Sequence, residues 1–129
     1  MVSLRDDNNI SLERSESFAV RIVNLYKYLT SEKSEYVMSK QILKAGTSIG
    51  ANLAEAQYAI SSDDFTAKLY ISLKETSETL YWLRLLYRTD YIRENEFNSL
   101  YDDCLWQCYI LQVICLFEFN NFLYSYFGK

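Results

Sequence analysis

The chain has 129 residues, half of them hydrophobic and 23% charged, with three glycines, no proline and no histidine. That length and balance describe one globular domain with its own core and exclude a disordered chain. So little glycine and no proline excludes turn-rich sandwiches and barrels, while the absence of histidine removes the commonest general base, the commonest metal ligand and every Ser-His or Cys-His nucleophile. Formal net charge is −4, and residues 94–129 carry all of it, since residues 1–93 set twelve Lys/Arg against twelve Asp/Glu. The sign argues against a generic polynucleotide binder but leaves room for a local basic surface on the first three quarters.

Residues 1–14 mix charges with Asn8 and Asn9 and show no sustained period, so they are expected to form a partly ordered arm ahead of a domain at 15–129. Met1 to Asn9 is polar and acidic where a secretory signal would be basic and then apolar, and the expected location is the cytoplasm. A first helix is expected from Ser15 or Ser17, with Phe18, Ile22, Leu25, Tyr26 and Leu29 as its apolar stripe, ending in the polar cluster Thr30 to Glu35. The second is predicted from about Glu35 to Ile60, burying Met38, Ile42, Ala45, Ile49, Leu53, Ala56 and Ile60 on one face. Gly46, Gly50 and Ala54 make a second strip on that helix, spaced by four. Each internal glycine costs about 1 kcal/mol relative to alanine, and close approach by another helix is the usual offset, so the strip is expected to pack helices and, with the fourth helix, to join subunits. A break of the helix at the glycines is the other reading.

Ser61-Ser62-Asp63-Asp64 places hydroxyl caps before carboxylates at the positive end of a helix dipole. The third helix is predicted from there to about Arg88, with Phe65, Leu69, Leu73, Thr76, Leu80, Leu83 and Tyr87 on one face. After a short connection, Thr89 to Arg93, the fourth runs from Glu94 or Asn95 to about Tyr126, with Gly128 as the stop. Long rods joined by short turns must lie antiparallel, so the expected fold is all-α, an up-down-up-down four-helix bundle. The fourth helix is apolar all round, and a bundle helix needs only one stripe. Either it is central in the monomer or its outer face, with Trp106, Ile110, Val113 and Phe117, meets another subunit; a four-helix bundle favours the second. Its most apolar stretch, Cys104 to Phe117, is too short for a membrane span.

Little in the chain resembles reaction chemistry. Cys104, Cys108 and Cys115 share one face of the fourth helix, but three thiols without Cys-x-x-Cys pairs fit packing better than structural zinc. Glu75 and Glu78 sit one turn apart without the histidine of a di-iron site, which favours a solvated or ion-paired face. Thr47, Ser48, Asn52 and Glu55 fit a buried hydrogen-bond network between helices better than a ligand site. No metal, cofactor or small-molecule substrate is expected. Among the basic residues of the first three helices, Lys40, Lys44, Arg84 and Arg88 are the candidates for nucleic-acid contact, against the plainer reading of solvated helix faces.

Lys44-Ala45-Gly46-Thr47-Ser48-Ile49-Gly50-Ala51-Asn52-Leu53-Ala54-Glu55-Ala56 resembles the signature of a bacterial four-helix-bundle family. Its members include ribosomal-protein-like chains encoded by intervening sequences within large-subunit ribosomal RNA genes. The resemblance continues through Asp64-Phe65, Leu69, Ile71 to Glu75, Glu78-Thr79 and Tyr81-Trp82-Leu83, and Phe18 to Val23 is similar to the family's first helix. Ala56 departs from the pattern, since many relatives carry glycine after the glutamate. The resemblance implies a homopentamer with a central channel, and a related branch, the accessory variability proteins of diversity-generating retroelements, binds reverse transcriptase and nucleic acid. The expected function is a non-enzymatic oligomeric scaffold associated with RNA or a ribonucleoprotein; the alternative is a protein-interaction module that never touches nucleic acid.

Overall fold

The apolar periods of the chain fold into four helices, α1 (Leu4–Ser31), α2 (Met38–Ala56), α3 (Ser62–Arg88) and α4 (Glu94–Phe127). The computed structural model describes residues 4–128, with side chains from Asn9 onward, and there is no strand among them. Each helix packs on the next, and α4 closes the ring against α1. Paired residues run in opposite senses at the seams of α1 with α2, α2 with α3 and α3 with α4. Gly46 meets Ile22 and Gly50 meets Ser15 between α1 and α2. Ser72 and Lys68 of α3 bond to Ile49 and Glu55 of α2, and Tyr87 and Arg84 of α3 meet Phe97 and Tyr101 of α4. The core fills the centre with Phe18, Ile22 and Leu29 from α1, Ile42, Ile49 and Leu53 from α2, Leu69, Leu83 and Leu86 from α3, and Leu100, Leu111 and Ile114 from α4.

The helix ends follow local chemistry. Ser61 caps α3 by accepting the Asp64 N–H at 3.0 Å, with Asp63 and Asp64 in the first turn. α2 starts later than its apolar pattern predicts, because the buried Glu35 carboxylate accepts the N–H groups of Val37, Met38 and Ser39 at 2.9, 2.9 and 2.7 Å. That acid stands outside the helix and satisfies its free donors. α2 also ends earlier, at Ala56, since the N–H groups of Gln57, Tyr58 and Ala59 close onto carbonyls three residues back. The tightened turn leaves Ile60 93% exposed instead of on the core face. The helix passes unbroken through Gly46 and Gly50.

The largest departure is at the other end of the chain. Residues 4–14, expected as an arm, are the first turns of α1, and residues 1–3 of that arm lie outside the described residues. Ser11 and Ser15 are buried there, in register with Phe18 and Ile22. Serine at the core positions hid the helical period. Ser15 is not a cap either, as its hydroxyl donates to the Leu12 carbonyl at 2.7 Å.

Candidate interaction surfaces

Gly46 and Gly50 form a tight seam within the chain. A Cβ at Gly46 would stand 2.8 Å from Ile22 Cγ1, and one at Gly50 would stand 3.0 Å from Ser15 Oγ. The close approach expected of the strip is therefore made by α1, which occupies the face that a second copy would have used. Ala54 is exposed and lies beyond this contact. The polar residues of the same stretch do not form the buried network expected of them. Thr47 donates to the Leu43 carbonyl at 2.7 Å, Ser48 to that of Lys44, and Asn52 Nδ2 to that of Ser48 at 2.8 Å. All three bonds stay inside α2, because a hydroxyl or short amide on a helix reaches the carbonyl one turn back before it reaches a neighbour. Glu55 is exposed and pairs with Lys68 of α3 at 2.7 Å, an interaction that holds the Lys68 ammonium above its ordinary range.

The thiols sit in packing positions. Cys104 and Cys115 are buried and Cys108 half-buried, and Cys104 Sγ donates to the Thr76 carbonyl at 3.6 Å. Burial pushes the Cys104 thiol far up, and burial with Glu118 nearby pushes Cys115 up to about 11, so both are protonated and unreactive at neutral pH. Among the described residues no group of three or more His, Cys, Asp or Glu side chains is placed to hold a metal ion. Glu78 accepts from Trp82 Nε1 at 3.3 Å. Burial and then the charge of Glu78 push the Glu75 carboxyl up, while Lys74 and Lys44 hold it back.

α4 presents the broadest apolar surface. Its inner side contributes Leu100, Cys104, Leu111 and Ile114 to the core. Of the four residues expected to meet another subunit, Trp106 and Ile110 are half-buried within the chain, Trp106 beneath the Arg14 guanidinium at 3.8 Å from its ring centre. Val113 and Phe117 are 64% and 47% exposed, and Tyr109 and Leu116 extend the same face. Phe122, Tyr124, Tyr126 and Phe127 continue the exposure to the helix end. No helix among the described residues is long and apolar enough to cross a membrane. Asp103 fastens α4 to α1 by pairing with Arg21 at 3.2 Å and Arg14 at 3.5 Å.

The four basic candidates divide between two helices. Lys40 and Lys44 are exposed on α2, with Lys44 close enough to Glu75 of α3 to act on its charge. Arg84 and Arg88 are exposed on α3, and Arg84 Nη1 donates to the Tyr101 hydroxyl of α4 at 3.1 Å. The outward face of α3 also carries Tyr70, Lys74 and Tyr81, which are exposed and fall in line with both arginines. Tyr70 and Tyr81 stand with Lys74 at steps of four and seven on the polar face of α3, which the apolar period of that helix does not mark.

The model of the 23S rRNA-intervening sequence protein family matches residues 7–111. A solved structure of a protein of unknown function from the S23 ribosomal protein family of Bacteroides thetaiotaomicron is similar at 51% identity and a TM-score of 0.83. The similarity covers 84% of this chain and 97% of that one. A comparison with curated proteins found no match. With four helices in the bundle order, the Gly46 and Gly50 seam, and a family model spanning residues 7–111, the chain belongs to the 23S rRNA-intervening sequence protein family.

Proposed function

We propose that the chain is a non-enzymatic scaffold that assembles with copies of itself through the outer face of α4 and associates with RNA or a ribonucleoprotein. The observation that carries the reading is the exposure of Tyr109, Val113, Leu116 and Phe117 on one helix of an otherwise well-filled bundle. Contiguous apolar surface of this kind is rare on a monomer and marks association. A ring of five subunits, the number implied by the family resemblance, would cover that face and repeat Lys40, Lys44, Arg84 and Arg88 in every protomer. The absence of histidine and the burial of the Cys104 and Cys115 thiols support a non-catalytic role.

Light scattering at micromolar concentration tests assembly: a closed oligomer is expected, and a 15.2 kDa particle overturns it. Association with RNA is tested by titrating a labelled structured RNA at about 50 and 200 mM salt, where phosphate contacts must weaken steeply as counterions are released. The Lys40→Glu/Lys44→Glu variant is expected to bind more weakly at the lower salt. Binding indifferent to salt and to that change, or none at all, leaves the protein-interaction reading in place.

A further inference from the structure

We infer that the outward face of α3 is a platform for an unpaired RNA strand, on which Tyr70 and Tyr81 stack bases and Lys74, Arg84 and Arg88 take phosphates. This rests on the reading that the protein associates with RNA, and it names the form of RNA and the residues that select it. Tyr70, Lys74, Ser77, Tyr81, Arg84 and Arg88 recur at steps of four, three, four, three and four. At 3.6 residues per turn they fall within an arc of about 80°, along about 27 Å of helix. Every one of them is exposed, and the two tyrosines are 45% and 49% exposed.

Two of the groups are held in place. The Tyr81 ring is braced by the edge of Trp82, with centroids 5.0 Å apart at 71°, and Trp82 is fixed by its bond to Glu78. Arg84 is fixed by the Tyr101 hydroxyl of α4. Between Tyr70 and Arg88 the acid that flanks the stripe is Glu78, whose bond to Trp82 turns it toward the indole, and Asp63 stands in line two turns before Tyr70. Three cations remain beside two aromatic faces, on a chain whose net charge is −4. Aromatic rings alternating with cations suit a single strand. Every base has a face to stack, whereas the bases of a duplex are already stacked on one another. A duplex is recognised instead through its shape and through 2′-OH and phosphate contacts across its minor groove, where stacking rings find no base face.

The test compares a labelled single-stranded RNA with a duplex of the same sequence at about 50 mM salt. The single strand is expected to bind at least about tenfold more tightly. Tyr70→Ala/Tyr81→Ala should remove that preference, while Tyr70→Phe/Tyr81→Phe, which keeps both rings, should retain it. The three phosphate contacts of the stripe by themselves predict a loss of at least about 20-fold for the single strand between 50 and 200 mM salt. Lys74→Glu/Arg88→Glu should flatten that dependence, and circular dichroism should show each variant folded. Equal binding of strand and duplex, unchanged by loss of the tyrosines, overturns the platform and leaves general association with RNA standing. No affinity for either form at the lower salt overturns both.

Discussion

The seam between α1 and α2 and the outer face of α4 are both built from small or apolar residues at helical spacing, yet they end in opposite environments. At the seam, Gly46 and Gly50 are buried with no room for a Cβ against Ile22 and Ser15. On α4, Val113 and Phe117 face outward and are 64% and 47% exposed. The first surface is consumed in folding and the second remains for association. Apolar periodicity therefore measures how much surface wants covering, and the geometry of the monomer decides which part it covers itself.

Substitutions can break this contrast, and the largest effect belongs in the core that both regions share. Phe18 is fully buried, and Phe18→Ala should cost about 3–5 kcal/mol, read as a lowered urea midpoint at fixed protein concentration. At the seam, Gly46→Leu drives a side chain into Ile22 and should cost about 1–3 kcal/mol or more by the same measurement. An unchanged midpoint there would mean that α1 and α2 can separate without loss.

A smaller effect is expected at the cap of α2. Burial alone would raise the Glu35 carboxyl, but three backbone N–H groups hold it below the ordinary carboxylate range. A carboxyl with a depressed folded-state pKa stabilises the protein above its unfolded value of about 4.3, and that stability is lost as pH falls through the folded value. Glu35→Gln should thus cost about 1–2 kcal/mol at pH 7 and little at low pH, flattening the acid side of the stability profile. The smallest effect on folding is expected at α4. Val113→Glu/Phe117→Glu should change monomer stability by no more than about 0.5 kcal/mol while abolishing the oligomer in light scattering. A loss of folding as large as that of Gly46→Leu would assign the face to the fold instead.

The bundle, the limits of α3 and α4 and the family were legible in the chain, because Leu and Ile recurrences, the Ser61 cap and Gly128 act over one or two turns. Local signals of that kind need no knowledge of what lies across the core. The start of α1 was not legible, since Ser11 and Ser15 hold core positions without apolar side chains, and only the approach of the other helices makes them interior. Thr47, Ser48 and Asn52 were read as an interhelical network from their types, and their bonds to carbonyls of α2 appear only once the helix is built. Spacing placed Gly46 and Gly50 on one face of α2; that the face belongs to α1 and not to another subunit is a matter of which helix arrives there. Sequence alone determined that this chain makes four helices and more apolar surface than one helix stripe requires. The tertiary structure decided how that surface is shared, because burial is set by the contacts between helices and not by the order of residues along any one of them.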